Sequence, residues 1–472
     1  MKVRIPDWLT KNISIGPRTR RPPSRWERRI GKAIQFFTVL CLVLFVIWRA
    51  HLHYQITRQF GAIRSAGLPA SPQELDRWYA AVPEASNAAV VLTRAFELQR
   101  TFPDKRSNEI EQAKLLDRRE AWSAETRELI AEYVAMSGES LAKACEGVQR
   151  PQSRYPVDLT CGVEAELSHL SGVKSLARAA ALRAVFAARE GHREDWPSDV
   201  RLMLQLAATL DHEPMLISQH VRASIISMAV ITTERCLNST TTSDAVCELI
   251  EAFAGAEKTN AFRIGLIGER ACTTPAFRLS WAELRRVSVL EYTGTKPPPL
   301  AGRPNPVFWL SGFFERDMSF YLRVLETNIA LAALPPPASL VAMNIDEKLI
   351  EIARRRGYLL SGMILPAIAR TVVRDATTRA CIRLVQTALA IECYRDRQSQ
   401  LPKNLAGLTP AFLSVVPADP FTGEPLRYRR TDKGFVIYSV DRDGHDDGGR
   451  EKPLNAKYSD PTNYDLTFTV ER

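Results

Sequence analysis

The sequence predicts a mainly α protein with an N-terminal transmembrane helix, an irregular array of α-helical hairpins and a small C-terminal α+β head built on an antiparallel sheet. Three observations carry this reading. An apolar run extends from Ala33 to Trp48. Between Gln55 and Gly362, long stretches repeat apolar residues at helical spacing and strand signatures are scarce. The last part of the chain alternates short β patterns about a glycine turn and contains an acidic, glycine-rich loop. The expected segments are a basic cytoplasmic tail at 1–32, a membrane helix at 33–49, an exported helical domain at 50–362 and the α+β head at 366–472.

The tail sets the expected orientation. Residues 1–32 hold ten Lys and Arg against Asp7 and Glu27, which leaves +8 of the formal +10 of the chain. Positive charge stays on the cytoplasmic side, so the tail is expected inside and the bulk across the membrane. The run from Ala33 to Trp48 is interrupted only by Gln35 and Thr38. It is slightly short of the roughly 17–25 residues a bilayer requires, and Lys32, Trp48 and Arg49 can extend it by snorkelling to the interfaces. Trp48-Arg49-Ala50-His51 provides no small-residue cleavage site, which favours an uncleaved anchor over a signal peptide. The rest of the chain carries only +2, so the high pI gives no reason to expect nucleic acid as a partner.

The middle region reads as helices at Asn87 to Leu98, Thr126 to Val148, Val163 to Glu190, Pro197 to Leu210 and Leu216 to Leu237. The stretch from Ser171 to Gly191 places small residues on one face and ends on glycine, and it resembles the first helix of a tetratricopeptide-like hairpin. No fixed period recurs, so the array is irregular. Proline-rich breaks at Lys296 to Pro304 and at Leu334 to Pro337 are the expected linkers or lid-like loops. Catalytic signatures are lacking, and no catalytic residue is assigned. His212-Glu213 is not a zinc helix, because Leu216 stands where the second histidine belongs and Pro214 would break the helix between them.

The C-terminal region has its own pattern. Leu365, Ile368, Val372, Cys381, Leu384, Ala388 and Ile391 predict one amphipathic helix. Strands are expected at Leu426 to Arg430 and Phe435 to Ser439 around the turn Thr431 to Gly434, with Leu466, Phe468 and Val470 alternating as a third. The loop after Ser439 crowds Asp441, Asp443, Asp446 and Asp447 among Gly444, Gly448 and Gly449. Such carboxylates repel one another unless a cation lies between them, and hard oxygens with glycine-freed carbonyls suit calcium. The loop is not an EF-hand: counted from Asp441, the glycine falls too early and Lys452 occupies the place of the bidentate glutamate. A solvated acidic turn would use the same residue types.

Leu401-Pro402 through Leu408, then Phe412 through Tyr428, resemble the C-terminal domain of the type II secretion major pseudopilin. In that family a long helix ends in a tyrosine-containing turn, an Asp-Pro-aromatic-Gly-x-Pro signature follows, and a small sheet carries a calcium loop. Here Tyr394 would close the helix, Asp419-Pro420-Phe421 through Pro425 matches the signature, and Tyr438-Ser439 leads into the loop. Asp443-Gly444 falls on the family's loop Asp-Gly, Gly448 and Gly449 follow where it has glycines, and Asp465-Leu466 is similar to its closing Asp-Ile. Asp441 replaces a family glycine, and Asp446 and Asp447 are additional carboxylates. The resemblance implies calcium, with Asp441, Asp443, Asp446, Asp447 and Asp465 as candidate ligands. It covers roughly the last quarter of the chain. The membrane helix lacks the family's fifth-position glutamate and is separated from the head by the whole helical region, so the head reads as a borrowed domain. The helical region also broadly resembles those of large bacterial membrane-anchored proteins that end in such a head.

Excluding Cys41, seven cysteines remain, an odd set. Cys236 with Cys247 is the first expected disulfide and Cys145 with Cys161 the second, while Cys381 and Cys393 on one helix lie too far apart to bond to each other. Two function classes compete. The favoured one is a scaffold or interaction protein of the bacterial inner membrane, its bulk periplasmic, with a calcium-stabilised head facing an unknown protein partner of the secretion or envelope machinery. The rival is an exported hydrolase-type enzyme with its site in the helical domain. Convergent His, Glu or Ser side chains in a cleft would favour the rival.

Overall fold

Helix α1 (Arg25–Ser65) carries the apolar run and continues well past the expected end at residue 49. No proline interrupts it, and the chain turns only at Gly67, whose φ of 71° is left-handed. Along the run Phe36, Phe37 and Val46 are 72%, 65% and 62% exposed, an arrangement that hydrocarbon stabilises and water does not. By length and composition α1 suits a membrane anchor, and equally a signal sequence. The computed structural model describes residues 25–100, 106, 109–110, 118, 120–240, 243–258, 260–279, 283, 311–453 and 463–472. Most of the basic tail and the break at Lys296 to Pro304 therefore lie outside the described residues. Contacts divide the chain into Met1–Thr57 and Arg58–Arg472.

Within the larger unit the first three helices begin where the sequence supplies caps. Ser71 caps α2 (Pro72–Trp78) by accepting from Glu74 N, Asn87 caps α3 (Ala88–Glu97) through Ala89 N, and Ser123 caps α4 (Ala124–Gly147) through Thr126 N. Next come α5 (His169–Arg189), α6 (Trp196–Ala208) and α7 (Leu216–Ser239). The helix expected from Val163 starts later, because Val163 and Glu164 belong to a 3₁₀ turn kinked at Gly162. Ala177, Ala180, Ala184 and Ala188 on α5 are fully buried and recur at three-to-four spacing, which lets α6 and α7 pack closely on it. Trp196 is fully buried at the start of α6, and truncating such a side chain costs about 3–5 kcal/mol.

The chain continues through α8 (Asp244–Cys247), α9 (Leu249–Ala256), α10 (Ala261–Thr273), α11 (Phe313–Leu331), α12 (Val341–Arg355) and α13 (Leu359–Gln398). Where α10 crosses the start of α7, a Cβ on Gly268 would lie 1.5 Å from the Pro214 carbonyl oxygen, so only glycine permits the contact. The second proline-rich break forms a turn with a cis Pro336-Pro337 bond. Helix α13 runs through Pro366, so the expected boundary at 362–366 falls inside a helix. It also continues past Tyr394 and ends at Ser399, whose φ is 56°.

The sheet follows the expected pattern: β1 (Arg427–Thr431), β2 (Gly434–Ser439) and β3 (Leu466–Glu471), antiparallel in the order β1-β2-β3. Tyr428 faces Ile437 in one pair, and Ile437 faces Phe468 in the other. All six residues of β2 are buried, and α13 packs against β2 and β3. The outer edge of β3 is closed by α7. Thr469 N donates to Glu234 Oε1 at 2.7 Å, Asn238 Nδ2 donates to the Thr469 carbonyl at 2.8 Å, and Glu471 N donates to Asn238 Oδ1 at 2.8 Å. Side chains of a helix thus take the place of a fourth strand. Burial, against the Thr469 N–H and the Arg118 charge, raises the Glu234 carboxyl to about 7.

Both expected disulfides are replaced by one other. Cys247 bonds Cys393, joining α8 to α13 with a Cα–Cα distance of 6.0 Å. Cys236 points into the core from α7, Cys161 donates to Asp158 Oδ2, and Cys145 sits beside Arg183 on α5. The pairing was set by which helices pack together and not by nearness in sequence.

Candidate functional site

The acidic loop is held by a residue outside it. Asp419 is fully buried between the proline-rich segment and the end of β2. Its Oδ1 accepts from Phe421 N and from Ser439 Oγ, both at 2.9 Å, and its Oδ2 accepts from Val440 N at 3.0 Å. Gly423, at φ 79°, turns the chain so that Asp419 N reaches the Glu424 carbonyl and Gly423 N reaches that of Asp419. The Asp-Pro-Phe-Thr-Gly-Glu-Pro segment is therefore a tight loop closed around one carboxylate, which fixes where β2 ends and the acidic loop starts.

The loop places the five expected ligands differently from one another. Asp441 takes a left-handed φ of 57°, and burial, with Asp443 adding repulsion, raises its carboxyl. Asp443 Oδ1 accepts from His445 N at 3.1 Å, and Asp446 Oδ1 from Gly448 N at 2.9 Å, so both side chains brace local turns. Asp446 Oδ2 also accepts from Arg427 Nε at 2.8 Å; although burial opposes it, the Gly448 N–H and Arg427 lower its carboxyl. Asp465 Oδ2 accepts from Gly449 N at 2.7 Å, and burial, reinforced by Asp446 and Asp447, raises its carboxyl. Gly449 must remain glycine, because a Cβ there would meet the Tyr438 ring at 2.9 Å.

Among the described residues, no three His, Cys, Asp or Glu side chains are grouped to hold a metal. Two carboxylate oxygens, Asp447 Oδ2 and Asp465 Oδ1, are nevertheless buried without a hydrogen-bond partner. An unpaired buried carboxylate oxygen is costly, and two such oxygens are hard donors of the type calcium takes. The fit thus centres on Asp447 and Asp465, whereas Asp443 and Asp446 are already engaged by backbone N–H groups and Arg427. Neither Asp419 nor Arg427 stood out in the sequence as a support for the loop, although Asp419 lies in the signature segment.

A second polar cluster lies in the helical region. Glu213, fully buried, faces His169 Nε2 at 3.0 Å to both of its oxygens and accepts from Ser218 Oγ. The His169 ring stacks on Tyr155 at 4.2 Å between centroids, and Tyr155 Oη lies 3.0 Å from Thr209 Oγ1. Glu213 thus joins α5 and α7 through the loop before α7. The convergence of Glu, His and Ser resembles a catalytic constellation, but Ser218 and Glu213 are 0% exposed and His169 8%, so no substrate reaches them. Their chemistry is that of a satisfied buried network. No family model, no curated protein and no solved structure matches this chain.

Proposed function

We propose that this chain is a single-pass protein of the bacterial inner membrane, with its N-terminus cytoplasmic and its folded bulk exported, serving as a scaffold for a protein partner. The observation that carries the reading is α1, whose apolar side chains stand exposed ahead of a large folded unit. A disulfide between Cys247 and Cys393 agrees with an oxidising compartment. The burial of the His169, Glu213 and Ser218 cluster leaves the hydrolase alternative without reachable catalytic groups there. In this reading the pseudopilin-like head is a docking element, and Asp447 and Asp465 contribute the donors for a calcium ion that holds its loop.

Two experiments test it. In spheroplasts, added protease should digest the bulk of the chain while carbonate at high pH leaves the protein in the membrane; protection of the bulk, or extraction, would overturn the topology. For the loop, unfolding of the full chain should shift upward with calcium relative to chelator, and Asp465→Asn should abolish the shift. Equal curves with and without calcium would remove the metal from the proposal.

A further inference from the structure

Trp78 to Val82, the turn from Val148 to Ser153, the end of α6 and the loop at Asp211-His212 line an open cavity of about 850 Å³. That volume falls within the roughly 300–1,000 Å³ typical of small-molecule sites. We propose that this cavity binds a short saccharide chain. The composition of its wall carries the inference by elimination and then by fit.

Two cations of the wall, Arg150 and Lys258, are anchored to neighbouring groups of the fold, and the phosphate titration below separates an anion from a neutral ligand. Arg150 Nη1 donates to the carbonyls of Glu84 and Asn87 at 2.9 and 3.1 Å. Lys258 Nζ lies 3.9 Å from Asp211, which in turn accepts from Arg222 Nε at 2.6 Å. The same pairing neutralises Asp211 as a site for a cation. An acyl chain is disfavoured because Gln149, Gln152 and Gln205 would lose water to it without gaining partners.

Those three amides suit a neutral polyol, Gln152 mainly through its NH₂ because its Oε1 already accepts from Ser86 Oγ at 3.4 Å. Each carries a donor pair and an acceptor on one planar group, matching hydroxyls that both give and take a proton. Trp78 supplies the other half of the recognition. It is 37% exposed on the wall, so its ring can take the C–H face of a pyranose. The neighbouring Tyr79 cannot offer both faces, because the Arg154 guanidinium lies 4.6 Å from its ring centroid. Its hydroxyl is buried, so it offers the cavity no donor and leaves the aromatic contact to Trp78. The inference does not depend on the membrane or calcium readings.

The test uses the full chain in a detergent without a sugar headgroup, titrated calorimetrically with chitotetraose and cellotetraose, and in separate runs with tripolyphosphate and tetra-alanine. Saturable binding of a tetrasaccharide is expected, weakened about tenfold in Trp78→Ala and in Gln205→Ala, consistent with the loss of one aromatic stack or one hydrogen-bonded amide. A melting temperature shared with the wild type shows that each variant is folded; should Trp78→Ala fail to fold, Trp78→Leu and Gln205→Ala decide. The proposal is overturned if neither saccharide binds at millimolar concentration, if the variants bind as tightly as the wild type, or if only the phosphate or the peptide binds.

Discussion

Opening the bridge between Cys247 and Cys393, by reductant or by the double replacement Cys247→Ser and Cys393→Ser, is expected to destabilise the folded unit substantially. The bond closes a sequence separation of 146 residues. In the chain-entropy account a loop of that length confers about 5 kcal/mol, by restricting the unfolded chain. At the unfolding entropy typical of a unit this long, that corresponds to a melting temperature lower by about 6 °C. The native state is expected to survive, because Leu389, Ile391 and Leu249 remain buried in the same core on either side of the bond. The assay is differential scanning fluorimetry with and without reductant on the wild type and the double variant, paired with non-reducing peptide mapping. Wild type should fall to the variant's value when reduced, and the variant should ignore reductant. Alkylation of Cys247 and Cys393 in the unreduced protein, or a variant melting with the oxidised wild type, would refute the reasoning.

Further predictions follow from single residues. Asp419→Ala removes a buried acceptor of three hydrogen bonds and should cost about 3 kcal/mol or more, read as a shifted denaturant midpoint; an unchanged midpoint would show that the loop does not depend on it. Glu234, raised to about 7 in the fold, holds its proton there at pH values at which the unfolded chain has lost it. Its contribution is therefore full below the unfolded carboxylate range and is lost as pH rises through about 7. Glu234→Gln keeps an acceptor for Thr469 N and should flatten stability over that window, gaining on the order of 2 kcal/mol at pH 8; a variant retaining the wild-type pH profile would refute it. Gly268→Ala forces a Cβ into the Pro214 carbonyl and should reduce stability by about 3 kcal/mol or prevent folding, measured by thermal melt and soluble yield; wild-type melting and yield would refute it.

Helical periodicity made α3, α4, α6 and α7 legible to within a few residues, because each buries one face defined by its own spacing. The alternation of Leu466, Phe468 and Val470 and the glycine at 434 likewise specified the sheet and its hairpin turn. What was not legible joins distant positions. Cys393 lies on a helix that sequence reading began near Pro366, and nothing local indicates that its partner sits on a four-residue helix far upstream. In its local sequence Glu213 reads only as half of a zinc motif; its partner, His169, lies 44 residues earlier and is brought to it by the packing of α5. In the acidic loop the carboxylates were visible but not their division of labour, since Arg427 reaches Asp446 only once β1 pairs with β2.

The closure of β3 by Glu234 and Asn238 has a consequence for the order in which the fold is completed. The hydrogen bonds that seal this edge join residues 231 to 235 positions apart, so no local segment can form them alone. Until the strand docks, α7 carries a carboxylate and an amide facing an empty position, and the sheet presents a strand edge on which a second copy could pair. Contacts of such separation form late, so assembly of this protein is expected to have a slow last step in which the sheet is clasped to a helix folded long before.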